Sequence, residues 1–209
     1  MGFPNAVTEV RSVSGGVRQT RMLETRARLF DAALAEIGRL GLAGADVTAI
    51  ASAAGVVRGT FYFHFPTKEH VLVELERNEE ARIVAELDLA QPDADDLVSV
   101  LSLLVRHVVA AERQLGPVVF REMLGLHFSA NRPIEDEVSE HPLAEFVVAA
   151  IITAQEAGRV APDADAGELG VFFMTGLFAL LATGAQGSAT ADAVVGRYVT
   201  TIVKGMETR

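Results

Sequence analysis

From Thr20 onward the apolar positions recur at helical spacing. Leu23, Ala27, Phe30, Leu34 and Ile37 follow at steps of four, three, four and three, a single stripe along one helix. Gly41 and Gly44 mark its end. A short helix follows from about Val47 to Ala54, with Asp46 placed to cap its first turn. Gly55 breaks it, and a second short helix runs from about Arg58 to His64. Pro66 stops the chain, and Thr67 is the expected N-cap of the next helix.

Beyond this point the pattern stays helical. Helices are expected near 67–90, 94–114, 117–130, 134–158, 164–185 and 190–207, separated by proline and glycine positions. The span 94–114 carries Leu97, Leu101, Leu104, Val108 and Ala111 on one face. No run alternates with period two. The fold class is all-α with about nine helices, a helix-turn-helix head on a larger helical bundle. Residues 1–20, with Gly15-Gly16 and no periodicity, read as a flexible arm. The expected head is 21–66 and the expected body 67–209.

Composition narrows the chemistry. The 209 residues contain no cysteine, which removes disulfides, thiolate metal sites and thiol catalysis. His64 and His70 are six apart, which is no helical ligand spacing, so no metal is expected. There is no HExxH, phosphate loop, dinucleotide glycine fingerprint or nucleophile elbow, and no carboxylate pair stands in apolar surroundings. Neither an enzyme nor a cofactor is expected. The uncharged stretch Leu169–Ala185 has 17 residues and lacks Lys/Arg flanks, so a cytoplasmic protein without a membrane span is expected. The run Glu135-Asp136-Glu137 reads as a solvated face.

The net charge of −10 conceals an asymmetry. Residues 1–76 hold eight Lys/Arg and eight Asp/Glu, whereas residues 77–209 hold ten against twenty. A neutral head on an acidic body can still bind phosphate if its positive groups share a face. On the second short helix, Val56 and Phe61 face inward. That leaves Arg58, Gly59, Thr60, Tyr62, Phe63 and His64 towards solvent with no carboxylate among them. Such a surface suits a major groove lined by phosphates.

Residues 46–72, DVTAIASAAGVVRGTFYFHFPTKEHVL, resemble the DNA-binding signature of TetR-type transcriptional regulators. The matching elements are Ile50-Ala51, Ala54-Gly55-Val56, Gly59-Thr60, Tyr62, His64-Phe65 and Lys68-Glu69. The resemblance implies an all-α homodimer whose heads bind a palindromic double-stranded operator and whose bodies bind a small effector. By position, Arg58 reads bases, Thr60 and Phe63 line the groove, and Tyr62, His64 and Lys68 contact phosphate. Thr48 reaches the DNA from the preceding helix. Two departures stand out: Val57 occupies the position of a capping serine, and Ala45-Asp46 replaces hydroxyl residues.

In the body, Phe120, Met123, His127 and Phe128 share one span, and His107 lies on the span before. Phe146, Gln155, Phe173, Met174 and Phe178 complete a set of bulky groups with a few polar ones. Taken singly, each reads as core; as a group they match an apolar effector pocket. Val194, Val195, Tyr198 and Ile202 form a stripe that a monomer would leave partly wet, and Gly176 sits on a neighbouring helix spaced for close contact. These are the expected dimer residues. The leading reading is a ligand-responsive repressor released by a small, largely apolar effector. The rival is a helical small-molecule or lipid-binding protein, or an enzyme, whose helix-turn-helix is only scaffold.

Overall fold

The computed structural model describes residues 7–90, 96–133, 141–183 and 189–207. Among them the chain forms nine helices and no strand beyond one isolated bridge, Val160 with Glu207. They are α1 (Val7–Gly44), α2 (Val47–Ala53), α3 (Arg58–His64), α4 (Lys68–Ala90), α5 (Leu97–Leu115), α6 (Pro117–His127), α7 (Pro142–Glu156), α8 (Ala166–Thr183) and α9 (Ala189–Met206). The chain divides into two compact units, 1–71 and 72–209. The division falls five residues beyond the expected 66/67 boundary, because Val71 is buried in the core of the first unit.

The first unit packs α1, α2 and α3 around Leu29, Ala33, Ile50, Phe61 and Phe65. Phe61 and Phe65 stack at 5.7 Å, and Phe30 approaches Phe65 at 6.3 Å. Truncating a fully buried phenylalanine of this kind to alanine costs about 3–5 kcal/mol. Gly41, at φ 72°, breaks α1 three residues before its nominal end. At the other end the structure departs from expectation. The helix begins at Val7, where a flexible arm through residue 20 is expected. Residues 16–20 are all exposed, so this stretch packs on nothing and carries no apolar stripe to betray its helicity.

The second unit is a helical bundle in which α5 packs on α6, α7 and α9, while α8 packs on α6, α7 and α9. The buried stripe of α5, Leu97, Leu101, Leu104, Val108 and Ala111, is the expected one. α8 is long and apolar enough by composition to cross a bilayer, yet Gly170, Phe173, Met174, Leu177, Phe178 and Leu181 form a buried face within this unit. α7 starts at Pro142, not at 134, since His141 has non-helical backbone angles and proline suits a first helical position. The rest of that expected helix start and the acidic run 135–137 lie outside the described residues.

Candidate nucleic-acid interface

The turn between α2 and α3 is built by Gly55, whose φ is 71°. Val56 donates its amide hydrogen to the Ala51 carbonyl, and Gly55 donates to that of Ser52, closing a Schellman motif. A side chain at Gly55 would be strained by about 1–2 kcal/mol in this conformation. Asp46 accepts a 2.6 Å hydrogen bond from the Thr48 amide, and that bond holds its carboxyl below the usual range. Its charge thus caps α2. Val57 makes no side-chain cap for α3, as the sequence predicts, and the Val57 carbonyl instead accepts from Thr60.

α3 buries Phe61 and turns Arg58, Gly59, Tyr62 and Phe63 to solvent, with Thr60 and His64 half-buried. Phe63 is 74% exposed, a large value for a phenylalanine, and its ring meets the edge-on His64 ring at 5.1 Å. Arg58 donates to the Tyr62 hydroxyl at 3.2 Å and lies over that ring, so the two are presented together. Thr48 is exposed at the start of α2. At the far end of α3, Arg26 of α1 donates to the His64 carbonyl at 2.5 Å and stacks over Phe65 at 4.3 Å. Burial, aided by Arg26, pushes the His64 imidazole below its ordinary value. That favours the neutral ring, which offers one donor.

Lys68 is placed differently from expectation. Its ammonium lies 2.6 Å from the Leu42 carbonyl, 2.8 Å from Ala45 and 3.4 Å from Ala43. The three oxygens terminate the kinked end of α1, and the cation satisfies them in the manner of a C-cap. In this conformation its protons are committed to the protein. Thr67 meets the His70 ring nitrogen at 3.0 Å at the start of α4.

The second unit holds a polar cluster that sequence reasoning missed. Glu76 and Glu80, one turn apart on α4, are both buried. Glu76 accepts from His127 at 2.6 Å and from Arg132 at 2.5 Å. Burial pushes its carboxyl up, but those two donors outweigh it and hold the group below the usual carboxylate range. Glu80 accepts from the Leu143 amide and faces His141 at 3.6 Å, which raises the His141 imidazole. The expectation that no carboxylates pair in apolar surroundings is therefore corrected. The signal was present: Leu72, Glu76, Glu80, Ile83 and Leu87 continue one apolar stripe through two glutamates.

The expected pocket residues fall into separate roles. Phe120, Met123, Phe173 and Met174 are buried core. His127, Phe128 and Phe178 do come together, the two phenylalanine ring centroids at 5.1 and 5.2 Å from that of His127. His107 pairs with Glu86 at 2.8 Å, and Gln155 donates to the Ala161 and Ala164 carbonyls, pinning the loop before α8. Phe146 is half-buried on α7. A groove of about 430 Å³ lies between α5 and α9, and none of these ten side chains lines it. Among the described residues no three His, Asp or Glu side chains converge to hold a metal.

Of the expected dimer residues, Gly176 and Tyr198 face each other within the chain. The Tyr198 hydroxyl donates to the Phe173 carbonyl at 2.7 Å, and a Cβ on Gly176 would stand 2.3 Å from it. Val195 is buried, while Val194 and Ile202 are half-buried. The exposed apolar residues nearby are Val171 and Phe172 of α8, at 62% and 63% exposure.

Comparison with known proteins adds the lineage. Residues 29–75 match the family model of bacterial regulatory proteins of the tetR family. The regulator AcrR of Shigella flexneri is 34% identical over 87 residues, 41% of this chain and 40% of AcrR, so the chain spans less than half of that relative. The repressor SCO4008 of Streptomyces coelicolor is 30% identical over 138 residues, covering 65% of this chain and 67% of that protein. Among solved structures, FadR of Thermus thermophilus, a TetR-family repressor determined with lauroyl-CoA, superposes with a TM-score of 0.71 at 23% identity. That superposition covers 88% of this chain and 96% of FadR. Helix order, glycine turn and matched sequence agree, and the chain belongs to the tetR family of bacterial regulatory proteins.

Proposed function

We propose that the protein is a ligand-responsive transcriptional repressor that binds a palindromic operator as a homodimer and is released by a small effector. The observation that carries the reading is the outward face of α3, where Arg58, Tyr62 and Phe63 stand exposed without a carboxylate while buried Phe61 anchors the middle of the helix and Arg26 holds its C-terminal end. Base reading falls to Arg58, whose fork matches guanine O6 and N7, with Thr48, Thr60 and Phe63 lining the groove. Tyr62 and His64 are the phosphate contacts. The names of AcrR and SCO4008, a regulator and a repressor, support the class, and the acyl-CoA bound by Thermus FadR supports an effector with a large apolar part. An effector that lowers operator affinity tenfold supplies about 1.4 kcal/mol of coupling, and by linkage operator DNA weakens effector binding by the same factor.

The test is a gel-shift titration with DNA from upstream of the protein's own gene, alongside a randomised pool. Selective binding upholds the reading. No binding to either at low salt leaves the helix-turn-helix as scaffold and favours a small-molecule-binding protein.

A further inference from the structure

α5 and α9 run side by side in the second unit and leave between them the groove of about 430 Å³, a volume within the range of small-molecule sites. Its floor is aliphatic, made by Val105 and Val109 of α5 with Val195 and Val199 of α9. Arg106 and Arg113 line it from α5; seven residues apart, they stand two turns and about 10 Å from each other along one side of the helix. Both are exposed, and neither makes an ion pair or hydrogen bond among the described residues. Residues 77–209 carry twice as many Asp/Glu as Lys/Arg, so two uncommitted guanidinium groups beside four valines run against the local composition. Gly196 completes the lining, and a Cβ there would meet nothing within 4 Å.

We propose that this groove binds an amphipathic carboxylate, its hydrocarbon chain lying on the valines and its head paired by the α5 arginines. Valine edges supply apolar contact without a polar group that a chain would leave unsatisfied. A guanidinium fork matches a carboxylate with two parallel hydrogen bonds, and its weak hydration suits a site half open to water. Ser102, one turn before Arg106 and also in the lining, adds a hydroxyl donor at that end. The site is distinct from the aromatic cluster around His127 and from the DNA-reading face, and its occupancy does not depend on the head's function.

The probe is dodecanoate, titrated calorimetrically below its micellar concentration into the intact chain without DNA. One molecule should bind per chain. Dodecyltrimethylammonium, with the same tail and opposite charge, should bind at least about tenfold more weakly, as should dodecanoate to the Arg106→Ala/Arg113→Ala variant. Gly196→Leu extends into open space within α9 and should fold with a melting temperature at or above that of the wild type yet lose dodecanoate binding. Dodecanoate binding that survives Gly196→Leu, equal binding of the cationic amphiphile, or no dodecanoate binding at all each overturns the assignment. So does dissociation of a wild-type dimer by Gly196→Leu, since the groove would then be a seam between copies.

Discussion

The Lys68 ammonium lies 2.6 Å from the carbonyl oxygen of Leu42, twenty-six residues earlier in the chain. That contact assigns the lysine to the end of α1 and changes what its removal should do. Lys68→Ala should destabilise the head by about 1.5–3 kcal/mol, the range for hydrogen bonds to a charged group. A denaturant melt of the variant measures it. An unchanged melt, together with a log K versus log salt slope reduced by about 0.9 per subunit, would restore the lysine to the phosphate backbone.

Arg58 is presented to solvent in contact with Tyr62. Arg58→Ala should cost about 1–3 kcal/mol per half-site on the preferred operator and flatten the preference at one symmetric pair of base positions. Selection from a random DNA pool compares the variant with wild type. Equal weakening on specific and random DNA, with preference intact, would reassign Arg58 to phosphate and leave the reading to Thr48, Thr60 and Phe63.

Gly176 leaves room for the Tyr198 ring. A methyl group there would stand 2.3 Å from the hydroxyl and 2.9 Å from the ring carbon bearing it. Gly176→Ala should therefore displace Tyr198, break its hydrogen bond to Phe173 and lower stability by about 1–3 kcal/mol, despite alanine's better helix propensity. Thermal melting at equal protein concentration decides the sign. A stabilised variant would show that α8 and α9 do not pack as closely as described.

Val171 and Phe172 expose a neighbouring pair of large apolar side chains on α8. If copies of the chain associate through this face, Phe172→Arg should yield monomers at micromolar concentration and weaken operator binding. Light scattering on wild type and variant reads the outcome. A wild type that is already monomeric refutes the dimer.

The pairing of His141 with Glu80 makes stability depend on pH. The Glu80 carboxylate raises the His141 imidazole against the effect of burial, so the folded state holds its proton more tightly than the unfolded state. The contribution is fully present below the ordinary histidine value of about 6.5 and is lost as pH rises through the raised folded value. His141→Asn should therefore melt earlier than wild type at pH 5.5 and close to it at pH 8.5. A gap that is constant across that range would place the effect in packing.

The helices, their order and the helix-turn-helix were legible in the sequence because local spacing decides them. The turn glycine Gly55, the cap Asp46 and the inward Phe61 each act within a few residues of their own position. The spacing from Leu23 to Ile37 marked α1 as a helix but misplaced its buried line, which runs through Leu29, Ala33 and Ile37 while Leu23 is exposed. The extension of α1 ahead of Thr20 escaped the same reasoning because residues 16–20, all exposed, carry no apolar stripe. What only the tertiary structure decided is which face meets which. Lys68 turns from solvent to α1 because its stem reaches the carbonyls left open by Gly41. Glu76 and Glu80 can occupy core positions because His127 and Arg132 meet the first, while His141 and the Leu143 amide meet the second, all from more than fifty residues away. Gly176 and Tyr198 pair within the chain, and Val195 looks towards α5 beside Arg106 and Arg113. Periodicity marks a face as apolar; only the packing of distant segments determines what that face touches.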